Sequence, residues 1–243
     1  MPKNNNTLQD SWFDTPFYHI LYKNRDYKEA EIFSTELMKF LDLPIDSKIL
    51  DLACGQGRHS VNFNKMGYNV TGVDISKENI FKAKKYENDS LNFDIHDMRN
   101  PMSNKFDLIV NLFTSFGYFE DFNDNLKTLS SLKLSLNKNG IGVIDFLNIN
   151  NVKNNLIHQN TEEIEGIKFN LKRCFSDGFL VKEINFKHNF KQYTFKEKVR
   201  ALTISDFKDM FKQSKLEILH IFGDYKLNEF DINKSKRLIF IFK

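Results

Sequence analysis

Cysteine, long apolar runs and excess charge are all scarce in this chain, and each shortage excludes something. Among 243 residues only Cys54 and Cys174 carry thiols. Two are too few for a disulfide framework and show no metal-ligand spacing, so no metal is expected and a reducing cytoplasm is the default compartment. The opening thirty residues contain no apolar stretch of signal-peptide length, and nothing later approaches the ~18 residues of a membrane span. No membrane partner is expected. A net charge of +3 lacks the strong basic excess by which backbone binding announces itself, so no nucleic-acid partner is expected either. What the chain does have is the composition of a folded domain: 41% hydrophobic and 28% charged residues, with 25 phenylalanines, enough for a substantial core.

The order of patterns along the chain gives an architecture. After a polar "MPKNNN", expected to be disordered, Thr15 is placed to cap a short helix with Pro16 at its first position. A second helix follows, in which Asp26 and Glu29 have capping-box spacing and Ala30, Phe33, Leu37, Phe40 and Leu41 share one face. From Lys48 short apolar strands alternate with amphipathic helices: "KILDLA", "NVTGVD", "LNFDIH", "FDLIVNLF" and "IGVIDFLN", with helices near Arg58–Met66, Lys77–Tyr86 and Asn123–Leu136, the last stopped by Asn139-Gly140. Strands with so little alternation are buried on both faces, as in a parallel sheet covered by helices. This predicts a doubly wound α/β core.

Past Asn148 the rhythm changes. Three runs of strand-like alternation, joined at Asp177-Gly178 and near His188 and Asn189, predict an antiparallel meander. The basic residues between Lys168 and Arg200 read mainly as a solvated face, with a docking surface for an anionic substrate or a second subunit as the alternative. A helix over "ISDFKDMFKQS" and the strands "LEILHIF" and "RLIFIF" then return to the core, and the short link between them requires an antiparallel pair. The expected segments are therefore an N-terminal helical lid over 1–46, a ligand-binding core over 47–149, an antiparallel β insertion over 150–203, and a helix with edge strands over 204–243.

The turn after the first strand carries the functional signal. "ACGQGRHS" supplies Gly55 and Gly57, but Ser60 stands where a dinucleotide fingerprint wants its third glycine, and no G-K-[ST] follows as in a phosphate loop. Pyrophosphate ligands are thereby disfavoured. The second strand ends in Asp74, nineteen positions after Gly55, about the offset at which a carboxylate holds ribose hydroxyls. Asp97 in "HDM" ends the third strand at the same edge. Cys54 reads as a small buried residue and Asp107 as a strand-end cap.

In this order "ILDLACGQG", "VTGVD", "HDMR" and "FDLIVNLF" resemble the four cofactor motifs of class I S-adenosylmethionine-dependent methyltransferases, over about Lys48 to Asn148. The resemblance implies a Rossmann-like, seven-stranded, mostly parallel sheet with an antiparallel edge strand. It also implies S-adenosyl-L-methionine as cofactor, with S-adenosyl-L-homocysteine as product. Carried over residue by residue, Asp51, Ala53, Gly55 and Gly57 would lie along the methionine part and Asp74 on the ribose diol. Ile75 would pack on the adenine, Asp97 and Met98 would meet its edge, and Asn111 and Leu112 would stand near the sulfonium.

The "FTSFGYF" loop, a Tyr-bearing first helix and an insertion after the fifth strand narrow the resemblance to amino-sugar N-methyltransferases. In that branch an N-terminal tyrosine and a histidine in the loop after the fourth strand flank the sugar amine. Tyr18 matches the first, whereas Tyr118 stands at the loop position. With a pKa near ~10 a tyrosine orients an amine better than it deprotonates one. Asp145, closing the fifth strand, is the candidate for attracting a cationic amine, with burial against the cofactor as the plainer role. Arg237 is expected to pair with Asp224. The expectation is an enzyme that methylates a small-molecule substrate, amine ahead of hydroxyl, with a homodimer as the candidate assembly. The competing readings are an RNA or protein methyltransferase, a non-catalytic cofactor binder and an NAD-dependent dehydrogenase.

Overall fold

The computed structural model describes residues 12–23 and 27–243. The "MPKNNN" stretch and Asp26 of the expected capping box lie outside the described residues. The chain divides into two compact units. One comprises Tyr27–Val152 and Leu202–Lys243; the other joins the described residues before Tyr27 to Lys153–Ala201. The division thus falls inside the stretch 1–46 that was expected as a single lid: its second helix belongs to the larger unit.

In the larger unit, α2 (Tyr27–Leu41) precedes alternating β1 (Lys48–Leu52), α3 (Arg58–Lys65), β2 (Asn69–Asp74), α4 (Lys77–Ala83), β3 (Leu91–Ile95), β4 (Phe106–Asn111), α5 (Phe122–Ser135) and β5 (Leu136–Leu147). A short helix, α6 (Ile149–Asn154), leads out of β5, and α7 (Ile204–Gln213), β10 (Ile218–Phe222) and β11 (Arg237–Phe242) close the unit. The seven strands lie in the order β10-β11-β5-β4-β1-β2-β3. β1 to β5 run parallel, whereas β11 runs antiparallel to both β5 and β10. Buried Ile49, Val70, Leu108, Val143 and Ile239 make the middle of the core.

Two sequence signals had other causes than expected. Asn139-Gly140 does not stop α5, which ends at Ser135, but lies within β5. A Cβ at Gly140 would come within 2.8 Å of the Phe106 carbonyl oxygen, so the glycine serves a close backbone approach. Phe40, assigned to the buried face of α2, is 43% exposed and lies edge-on to His220 and Phe222.

The smaller unit contains α1 (Pro16–Leu21), capped as expected by Thr15, whose side-chain oxygen accepts from the Tyr18 N–H. Its sheet has four antiparallel strands, not three: β6 (Gln159–Ile164), β7 (Ile167–Ser176), β8 (Phe179–His188) and β9 (Lys191–Arg200). β6 was missed because "QNTEEI" carries a single apolar side chain, although its pairing with β7 is regular. The apolar face of this sheet, with Phe169, Leu171, Ile184 and Phe186, packs with Trp12 and Leu21. Trp12 Nε1 donates to Glu197 at 2.7 Å, and the Tyr22 hydroxyl both donates to Glu197 and accepts from Lys182.

Candidate functional site

Because β1 to β5 are parallel, their carboxyl ends open on one edge, and the strand order reverses between β1 and β4. Ligands of doubly wound sheets bind at such a reversal. The structure brings together there the ends of β1 (Asp51, Ala53, Gly55), β2 (Asp74, Ile75), β3 (Asp97, Met98), β4 (Asn111, Leu112) and β5 (Asp145). Tyr118 follows in the β4–α5 loop, while Tyr18 belongs to the other unit, in edge contact with Trp12, Phe13 and His19.

The β1–α3 turn is held open by its own backbone. Ala53, Gly55 and Gly57 are left-handed, with φ of 62°, 57° and 81°. The Cys54 N–H donates to the Val73 carbonyl at 2.9 Å, and the Gly55 N–H donates to the Asp74 carboxylate at 2.8 Å. The two glycines differ in purpose. A Cβ on Gly55 would meet no atom within 4 Å, whereas one on Gly57 would stand 2.5 Å from the Phe93 ring. Gly55 keeps space in front of the turn clear, and Gly57 lets α3 pack onto β3.

Asp74 also accepts from the Ser76 N–H at 2.8 Å, so each oxygen is oriented by one backbone bond. A carboxylate accepts up to about four hydrogen bonds, so this arrangement is compatible with gripping a vicinal diol. Beside it Ile75 is 67% exposed, and Ile95, across from Asp74 on β3, is 47% exposed. Two bare aliphatic side chains at adjacent strand ends offer a flat apolar ring a surface to cover.

Asp97 is held by its near neighbour Arg99. Arg99 Nε donates to both its oxygens at 3.0 Å, and Nη2 donates to Oδ2 at 2.5 Å. Arg99 Nη1 also reaches Asp124 on α5 at 2.9 Å, and the guanidinium lies 5.4 Å from the Phe119 ring centroid. These hydrogen bonds hold the Asp97 carboxyl below its ordinary range.

Buried polar groups line the same edge. Asp51 accepts from the Ser60 hydroxyl at 2.6 Å, and burial raises its pKa to about 6. His59, on the first turn of α3, faces Ser34 at 3.4 Å, and burial lowers its pKa to about 3. Burial pushes the Cys54 thiol up, which suits an inert packing residue. Asn111 donates to the Leu52 carbonyl at 2.8 Å, tying β4 to β1 across the reversal. Asp107 takes the Lys48 N–H at the opposite edge, as a strand-end cap should.

Asp145 is a buried hub. It is 1% exposed. Oδ1 accepts from Arg237 Nε at 2.7 Å; Oδ2 accepts from the Phe113 N–H at 2.8 Å and from the Tyr225 hydroxyl at 3.1 Å. The expected Arg237–Asp224 pair is therefore replaced by Arg237–Asp145, and Asp224 instead caps the turn at Lys226 and Asn228. Burial, then the Asp145 charge, pushes the Tyr225 phenol far above its ordinary range, which keeps it a donor. The signal was present in "IGVIDFLN": a lone carboxylate in a doubly buried strand requires a partner.

Comparison with known proteins supplies the family. Residues 45–192 match the methyltransferase domain family. The chain belongs to that family. This methyltransferase domain is 35% identical over 107 residues to the putative methyltransferase YqeM of Bacillus subtilis, covering 42% of this chain and 43% of that protein. It is 29% identical over 132 residues to a dTDP-3-amino-3,4,6-trideoxy-alpha-D-glucopyranose N,N-dimethyltransferase of Streptomyces venezuelae, covering 53% and 54%. The chain thus matches about half the length of these curated relatives. A solved S-adenosylmethionine-dependent methyltransferase from Clostridium acetobutylicum shares the fold, with a TM-score of 0.79 at 23% identity, covering 93% of this chain and 96% of that one. No helix among the described residues is long and apolar enough to cross a membrane.

Proposed function

We propose that the protein is an S-adenosylmethionine-dependent methyltransferase acting on the amino group of a small molecule. The observation that carries the cofactor is the carboxyl edge itself: Asp74 oriented by the Gly55 and Ser76 N–H groups, Ile75 bare beside it, and clear space in front of Gly55. In this reading Asp74 takes the ribose, Ile75 covers the adenine with Asp97 and Met98 at its edge, and Asp51, Ala53, Gly55 and Gly57 frame the methionine part. Asn111 and Leu112 stand by the sulfonium. The cofactor supplies an already activated methyl, so the chain's residues have to align the acceptor and exclude water.

The preference for nitrogen follows from what the edge offers. A hydroxyl acceptor needs a base, whereas a neutral amine presents its lone pair directly. Asp145 is bound to Arg237, Tyr225 stays protonated, and His59 is buried with a strongly lowered proton affinity. These groups suit an environment that positions an acceptor better than one that deprotonates it. Tyr118 is assigned as the positioner. Tyr18, as a second contact to the amine, rests on the resemblance to amino-sugar N-methyltransferases, and the Streptomyces venezuelae relative acts on such a sugar by its name. A homodimer belongs to the same reading and is read by sedimentation.

The test is transfer of labelled methyl from S-adenosylmethionine to panels of amino sugars, amino acids and their hydroxyl counterparts. Turnover on amines supports the reading; turnover confined to hydroxyls overturns the acceptor, and binding of the cofactor without turnover on any acceptor favours a sensor.

A further inference from the structure

The β4–α5 loop begins with two consecutive non-glycine residues in the left-handed region, Phe113 at φ 63° and Thr114 at φ 61°. Side chains disfavour that conformation, so the surroundings must impose it. Both backbone N–H groups are consumed by one residue. The Phe113 N–H donates to the Asp145 carboxylate at 2.8 Å and the Thr114 N–H donates to the Asp145 carbonyl at 3.0 Å. The Thr114 hydroxyl in turn accepts from Arg237 Nη2 at 2.9 Å, while Nε of the same guanidinium holds Asp145 Oδ1. Phe113 is packed from the other side by Arg58, whose guanidinium carbon lies 4.2 Å from the ring centroid at the start of α3. A buried ion pair that only joined β5 to β11 would have no need of Thr114.

We propose that Arg237 and Asp145 are positioning residues that latch the β4–α5 loop into its left-handed entry, making it a preset wall of the acceptor site. Arg237 is planar and bidentate, so it grips two separate acceptors at once, which a lysine ammonium does not reproduce. The latch itself stands on these contacts; its meaning as an acceptor wall rests on the methyltransferase reading.

The test is amide hydrogen exchange over residues 108–121, with calorimetric titration of S-adenosylhomocysteine as a separate readout, on the whole protein. Thr114→Val removes the hydroxyl while keeping the β-branched shape, Thr114→Ser keeps the hydroxyl, and Arg237→Lys keeps the charge but loses the second contact. Thr114→Val and Arg237→Lys should speed exchange at the loop entry about tenfold, reporting a lowered local opening energy. Thr114→Ser should match the wild type, and the affinity for S-adenosylhomocysteine should stay within about twofold in all three, below the tenfold change that ~1.4 kcal/mol produces. Unchanged exchange in Thr114→Val, or no rescue by Thr114→Ser, would overturn the latch. A parallel loss of S-adenosylhomocysteine affinity would place Thr114 in the cofactor site and overturn the acceptor wall. If the wild type does not bind S-adenosylhomocysteine at all, the methyltransferase reading fails while the exchange result still judges the latch.

Discussion

The chain adopts left-handed backbone in two regions for opposite reasons. In the four-stranded sheet every hairpin turns on a residue pair with positive φ: Glu165-Gly166, Asp177-Gly178 and Asn189-Phe190. Two-residue hairpins require this, and a glycine or an asparagine supplies it locally at one position of each pair. At the carboxyl edge of the seven-stranded sheet, Ala53, Phe113 and Thr114 adopt the same conformation without glycine and outside any hairpin. There, N–H groups of the same turns donate to the Val73 carbonyl and to Asp145, and Arg237 donates to the Thr114 hydroxyl. One region chooses the conformation by its own sequence; the other has it imposed from strands distant in sequence. Strain held in place by partners of this kind is what a site that presets its loops requires.

Removing the imposing group should separate the two regions most sharply. Asp145→Ala leaves Arg237 buried without its carboxylate and frees the Phe113 N–H, and should lower stability by about 3–5 kcal/mol, measured by urea unfolding. Asp74→Ala acts on the same edge but on the ligand: losing charged hydrogen bonds worth on the order of 1.5–3 kcal/mol each should weaken S-adenosylhomocysteine binding by a few kcal/mol in calorimetry. Unchanged affinity would remove Asp74 from the site.

Asp51→Asn should act in the opposite sense on stability. Its folded pKa of about 6 lies above the ordinary 3.8, so the wild type loses stability as pH rises from about 4 to about 6 and carries that loss at neutrality. The asparagine should stabilise the protein at pH 7 by up to about 3 kcal/mol and flatten this window, at the expense of cofactor affinity. His59, lowered to about 3, gives the reverse slope, with stability lost as pH falls from about 6.5 towards 3. Tyr118→Phe should reduce methyl transfer about fivefold, one hydrogen bond of ~1 kcal/mol, and leave cofactor affinity intact. Smallest is the hairpin control. Phe190 is wholly exposed in a left-handed position, and Phe190→Gly should raise stability by roughly 1 kcal/mol with no change in S-adenosylhomocysteine binding.

What was legible in the sequence divides along the same line. The parallel strands could be read because doubly buried strands are continuous apolar runs, and the Asp177-Gly178 hairpin because its turn residues are local. The glycine turn and Asp74 were readable from spacing for a related reason: the first β–α–β unit is short. What depended on distant partners was not. Arg237 stands ninety-two residues from Asp145, and proximity along the chain suggested Asp224 instead. Arg99, unnoticed in "HDMR", fastens Asp97 to Asp124 across the sheet edge. Gly140 looked like a stop signal because a glycine spared from a clash with the Phe106 carbonyl has the same letter as one that ends a helix.

In the proposed function the carboxyl edge is built for an adenosyl ligand with no pyrophosphate. Calorimetric titration of the purified protein with S-adenosylhomocysteine and, separately, with NAD tests it most directly. Saturable binding of S-adenosylhomocysteine and none of NAD is expected. Preference for NAD, or no binding of S-adenosylhomocysteine, would contradict it.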